Sequence, residues 1–100
     1  MIKTGTRLRS QVCNTEVIVT RTSESFSDLR CGGSPMVDIA ATPDPNAQLD
    51  PEWAEGSQMG KRYVDESNGE VLVTKPGNGS LASGLVAMTR KDAKPLPASD

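Results

Sequence analysis

The chain contains no histidine, which excludes Ser-His-Asp triads, HExxH zinc hydrolases and imidazole metal ligation. Carboxylate and thiolate chemistry stay open. Aromatic residues are scarce as well: Phe26, Trp53 and Tyr63 are the only three, so aliphatic and β-branched side chains must build most of the core. No apolar run approaches the ~20 residues needed to cross a bilayer, and the polar amino terminus has no signal-peptide h-region. The expectation is a cytoplasmic protein with no membrane partner. Charge of one sign is also missing. Eleven Lys and Arg against thirteen Asp and Glu give a formal charge of −2, which offers no general attraction for nucleic acid. Two cysteines, Cys13 and Cys31, are too few for a secreted disulfide scaffold or for a four-thiolate metal site within one chain.

What is present divides into three parts and a tail. Residues 1–37 carry five basic and three acidic side chains, 38–60 none and five, and 61–100 six and five. The acidic middle holds Pro43, Pro45 and Pro51 near Gly56 and Gly60, a composition that argues for a connector rather than a long regular element. Within it, Asp50 can cap a single helical turn that begins with Pro51, and Trp53 is positioned to anchor the connector to a sheet. Residues 61–92 then form a second unit. From 93 to 100, Pro95 and Pro97 in a polar setting suggest an extended, flexible tail.

Both flanking units carry strand signals. Glu16-Val17-Ile18-Val19-Thr20-Arg21 is rich in β-branched residues and sets Val17 and Val19 on one face. Glu70-Val71-Leu72-Val73-Thr74-Lys75 repeats that chemistry. Residues 7–21 align with 61–75 at a spacing of 54, and Leu29-Arg30-Cys31-Gly32 meets Leu81-Ala82-Ser83-Gly84 once two loop residues are removed, bringing Met36 onto Met88. An internal duplication follows. Each unit is expected to hold strands near 7–12 or 61–65, 16–21 or 70–75, and 28–30 or 80–82, with a last strand from Met36 or Met88. A unit this small cannot cover its own apolar face, so the expected fold is all-β, with small antiparallel sheets and the two units related by a pseudo-twofold axis. Ser67-Asn68-Gly69, Pro76-Gly77-Asn78-Gly79 and Cys31-Gly32-Gly33 are read as turns.

Ser10-Gln11-Val12-Cys13-Asn14 and Arg30-Cys31-Gly32-Gly33-Ser34-Pro35-Met36, with Val17, Ile18 and Val19 between them, resemble the desulforedoxin family, also found as the amino-terminal domain of desulfoferrodoxins. That family holds iron or zinc on four cysteines, arranged as a CxxCG turn and a CCGxxM-like turn. The resemblance puts Cys13 and Cys31 at two thiolate positions and Ser10 and Gly32 at the other two; it extends over residues 4–38, with a weaker copy at 58–90. It implies that the sheet persists after loss of the metal site, and that a tandem pair replaces the family's homodimer. It also implies that Cys13 and Cys31 lie close together without holding a stoichiometric metal. Asp28 and Glu16 are the first carboxylates to inspect for a missed ligand.

These observations favour a noncatalytic accessory or binding protein without a cofactor, one that partners a larger metabolic enzyme or a second copy of itself. Arg9, Arg30, Trp53 and Tyr63 are the candidate contact residues. One alternative is a small thiol redox or metal-binding protein built on Cys13 and Cys31, with Arg9 and Arg30 available to acidify a thiol. Another is a small enzyme whose pocket lies between the repeats, using Asp65, Glu66, Tyr63 and Cys31, in which a buried carboxylate would titrate above its usual range.

Overall fold

Alternating β-branched runs that are buried on one face need a partner layer, and in this protein two sheets, each built from strands of both halves, cover one another. The computed structural model describes residues 2–91, so the expected tail at 93–100 and the last residue of the second unit lie outside the described residues. The described residues form an all-β fold of ten strands with no α-helix. The strands are β1 (Arg7–Arg9), β2 (Glu16–Arg21), β3 (Leu29–Cys31), β4 (Ser34–Pro35), β5 (Val37–Asp38), β6 (Arg62–Val64), β7 (Glu70–Lys75), β8 (Leu81–Ser83), β9 (Val86–Ala87) and β10 (Thr89–Lys91). They make two antiparallel sheets, in the orders β10-β6-β7-β2-β1-β5 and β4-β3-β8-β9. The middle seam of both sheets joins one half of the chain to the other.

The register at those seams is informative. Ile18 stands opposite Leu72 in the β2–β7 pair, and Arg30 stands opposite Ala82 in the β3–β8 pair. These are the residues that the sequence alignment set in correspondence. Hydrogen bonds recur in the same way: the Gly5 amide donates to Val19 O and the Gly60 amide to Val73 O, while Met36 donates to Leu29 O and Met88 to Leu81 O. One detail of the alignment is corrected. Leu8 pairs with Val17 but Tyr63 with Val71, so the first strands correspond one position later than a uniform spacing of 54 allows. The Ser10–Thr15 turn is one residue longer than Asp65–Gly69, and the same kind of hydrogen bond closes both: the Ser10 amide donates to Thr15 O as the Asp65 amide does to Gly69 O.

Val17, Val19, Val71 and Val73 point from the larger sheet into one core, which also holds Leu8, Phe26, Leu29, Cys31, Met36, Leu81 and Met88. Burial of each valine contributes about 1.5–3 kcal/mol of transfer free energy. Phe26, wholly buried, is carried by a 3-10 turn at Glu24–Asp28 that the strand pattern did not foretell. The acidic middle stretch is more than a tether. Asp50 caps a 3-10 turn at Pro51–Trp53 by accepting the Glu52 amide at 2.9 Å, and Trp53 is half-buried. Its backbone is pinned to both halves, through Asp50 N to Gly32 O, Ser80 N to Trp53 O and Ser57 N to Gly77 O.

Candidate functional site

The site begins at the turn after β1. There the Ser10 side-chain oxygen accepts the amides of Val12 and Cys13 at 3.1 and 3.2 Å, which curls the chain and leaves the Cys13 thiol half-buried. Cys31 ends β3 on its inward face and is fully buried. The two sulfurs are free thiols 3.8 Å apart, although 18 residues separate them in sequence. A disulfide needs only the remaining closure to about 2.05 Å.

Three further segments surround Cys13. Thr15 Oγ1 lies 3.2 Å from its sulfur, and the Gly79 amide donates to the sulfur at 3.3 Å. Ser57, from the acidic stretch, meets Thr15 oxygen to oxygen at 2.9 Å. An open cleft of about 320 Å³ lies over the thiol, lined by Val12, Asn14, Pro76, Gly77 and Asn78. Gly77 and Gly79 are required here by close approach rather than by a reversed turn. A Cβ at Gly77 would stand 2.5 Å from the Thr15 nitrogen, and one at Gly79 2.8 Å from the Gly32 nitrogen, while neither glycine has a positive φ. The Pro76–Gly79 segment, expected as a tight turn, is thus a loop laid against the other half's cysteine turn.

The electrostatics separate the two thiols. Burial opposes ionisation of Cys13, but the hydroxyls of Ser10 and Thr15 and the amides of Thr15 and Gly79 outweigh it, lowering its pKa to about 7. Burial and the neighbouring Cys13 charge push Cys31 up to about 12. The donors that acidify Cys13 are neutral. Arg9 and Arg30, the expected sources of that effect, are placed otherwise: Arg30 pairs with Asp28 at 2.9 Å, and the Arg9 Nε is buried on β1 without a hydrogen-bond partner.

A four-thiolate metal does not fit this pocket. The Ser10 oxygen is engaged by two amides, and a Cβ placed on Gly32 would lie 2.5 Å from Val12 Cγ2 and 2.7 Å from Leu49 Cδ1, so apolar side chains fill the fourth position. Asp28 and Glu16 are held by Arg30 and by Lys75, respectively. Among the described residues no third ligand-type side chain joins the sulfurs.

The remaining candidates are distributed over separate elements. Arg9, Arg30, Trp53 and Tyr63 sit on four different elements, and Tyr63 Oη accepts the Gln58 amide at 3.1 Å. Asp65 and Glu66 line a cavity of about 140 Å³ with Ser25, Ser67, Ser83 and Val86, a lining that includes neither Cys31 nor Tyr63. Asp65 is not the elevated carboxylate an acid-base enzyme would use. Burial raises its pKa, but the Ser25 hydroxyl, the Gly69 amide, the Ser23 hydroxyl and the Ser67 amide together lower it below the usual aspartate value. Sequence reasoning missed Thr15, Ser57, Gly77 and Gly79. The available signal was the glycine pair of Pro76–Gly79, which can mark a close backbone approach as readily as a turn.

Comparison with protein-family models, curated proteins and solved structures finds no match to this chain.

Proposed function

We propose that this protein is a small thiol–disulfide exchange protein, with Cys13 as the attacking thiol and Cys31 as the resolving thiol. A single arrangement carries the reading: two sulfurs at 3.8 Å, one half-exposed beneath an open cleft and the other fully buried. The division of acidity suits the two roles, since the attacking sulfur works as thiolate near neutral pH and the resolving sulfur stays protonated until needed. In the forward direction the Cys13 thiolate attacks one sulfur of a partner disulfide, forming a mixed disulfide and expelling the partner's other sulfur as thiolate, which takes up a proton. Cys31 then gives its proton to solvent and attacks Cys13 Sγ, releasing the partner's second thiolate. The partner disulfide gains two electrons, and the protein's dithiol becomes the Cys13–Cys31 disulfide. A small dithiol reductant returns it to the starting state.

The same reading accommodates the resemblance to desulforedoxins. Two duplicated, pseudo-twofold related units of that type, stripped of two ligands in one copy and all four in the other, would leave a thiol pair on a β scaffold. Equilibration with glutathione redox buffers, followed by differential alkylation and peptide mapping, tests the function. We expect one intramolecular Cys13–Cys31 disulfide, and a mixed disulfide trapped at Cys13 in Cys31→Ser. Absence of the intramolecular disulfide at every buffer ratio would sink the proposal.

A role as an accessory subunit has separate support in the β8–β9 hairpin, where Leu85 is 81% and Val86 46% exposed. Sedimentation of the purified protein with and without Leu85→Glu checks the form of this reading in which the partner is a second copy: a dimer lost in the variant supports it, and a monomer in both rejects it.

A further inference from the structure

Behind the thiol pair lies a buried polar contact that exchange chemistry alone does not require. Thr15 is wholly buried and Ser57 is 8% exposed, yet their hydroxyl oxygens meet at 2.9 Å across 42 residues of sequence. Each hydroxyl has one proton to place. The Gly77 amide donates to Ser57 Oγ at 3.3 Å, and the Ser57 amide donates back to Gly77 O at 3.0 Å, so the serine is clamped by both its backbone and its side chain. Ser57 Oγ accepts the Gly77 amide, and the acceptor within reach of its own proton is the Thr15 oxygen, so Ser57 directs that proton there. In the neutral thiol Cys13 Sγ donates to Thr15 Oγ1 at 3.2 Å; once Cys13 is ionised it has no proton to give, and the Thr15 proton turns to the sulfur. The opposite orientation would leave the Ser57 proton without an acceptor among the contacts of the described residues, and the sulfur with one donor fewer.

From this geometry we infer that Ser57 is a positioning residue for the attacking thiol: it orients the Thr15 hydroxyl so that it donates to the Cys13 thiolate. The inference rests on the thiol-exchange reading for its purpose, although not for its geometry. It gives the acidic middle segment a chemical role, because that segment delivers Ser57 to the site. The relay Gly77 N–H, Ser57 O–H, Thr15 O–H and Cys13 S⁻ runs in one direction, and hydrogen bonds aligned in this way strengthen one another in a low-dielectric setting. The close fit of Gly77 against Thr15 belongs to the same construction, since a Cβ there would stand 2.5 Å from the Thr15 hydroxyl oxygen and separate the relay's members.

Ser57→Ala removes a single oxygen and tests the assignment in two backgrounds. In the otherwise native protein, the rate of Cys13 alkylation by iodoacetamide at pH 7 is expected to fall about two- to fivefold, as the thiolate loses an oriented donor. The oxidised-to-reduced ratio in a fixed glutathione buffer is expected to rise by a similar factor, because only the reduced protein contains the thiolate that the relay stabilises. In a Thr15→Val background the same substitution is expected to change neither quantity, since the hydroxyl through which Ser57 acts is gone. Equal effects in both backgrounds, or none in either, would overturn the inference. Should Ser57→Ala fail to fold, hydroxyl-proton NMR of the native protein decides the matter: the Ser57 proton is expected to shift in step with Cys13 ionisation, and a stationary signal refutes the relay. If no Cys13–Cys31 disulfide forms at any buffer ratio, the exchange reading falls alone, and the alkylation rates still decide the role of Ser57.

Discussion

Cys13 and Cys31 are the same residue type at contact distance, and their surroundings make them different acids. Cys13 is lowered to about 7 and Cys31 raised to about 12, so at pH 7 iodoacetamide is expected to label Cys13 at least tenfold faster, as read by mass spectrometry of timed digests. The two thiols also act on stability in opposite directions. A thiol acidified by folding favours the folded state once it is ionised, so the Cys13 contribution is present above pH ~9 and is lost as pH falls through about 7. Cys31 holds its proton in the folded state while the unfolded thiol ionises near 9, so its contribution is present below that value and is lost as pH rises toward about 12. Denaturation midpoints measured from pH 6 to 11 in wild type, Cys13→Ser and Cys31→Ser are expected to separate the two slopes. Asp65 belongs to the same scale. Its carboxylate accepts the Ser67 and Gly69 amides at 2.9 and 2.7 Å and the Ser23 and Ser25 hydroxyls, so Asp65→Ala is expected to cost about 2 kcal/mol in urea unfolding. At the Ser10–Thr15 turn, Ser10→Ala is expected to cost about 1 kcal/mol, because a neutral oxygen there accepts two amides.

At the level of elements, the loop Pro76–Gly79 is the most sensitive. Gly77→Ala drives a methyl group into the backbone of Thr15, and a cost of about 1–3 kcal/mol is expected together with slower alkylation of Cys13, whereas Gly60→Ala, where nothing stands within 4 Å, is expected to leave alkylation unchanged. Strands β2 and β7 were legible in the sequence to the residue, because six-residue runs of alternating β-branched side chains support little else. The Pro51–Trp53 turn was legible from its Asp cap and leading proline. Strands β4 and β9, two residues each, carry too few side chains to display a period, and β1 ends at Arg9 rather than near residue 12 because Ser10 gathers the following amides into a turn. Proximity of the two cysteines was legible only through family resemblance. The donors around them were not, since Thr15, Ser57 and Gly79 come from segments that only the tertiary fold brings together.

Over the whole molecule, both sheets are closed at their centres by strands from opposite halves, and the core draws on both. Neither half is expected to fold alone. Peptides spanning 1–49 and 50–100 should each lack dispersed amide NMR signals and regain them on equimolar mixing, while a folded monomeric 1–49 would contradict this account. Contacts such as Val19 opposite Val71 are distant in sequence, which also predicts folding in the slower range of small domains, measurable by stopped-flow refolding. The loop that donates to Cys13 through Gly79, and the segment that brings Ser57, are made after both cysteines in the order of synthesis. A ribosome that has released only the first forty residues therefore presents two ordinary thiols. Because the first half is not expected to fold alone, the Ser10, Thr15 and Gly79 donors gather around the sulfur only when the later segments arrive, so premature oxidation of the nascent protein is disfavoured by the same hydrogen bonds that make the finished one reactive.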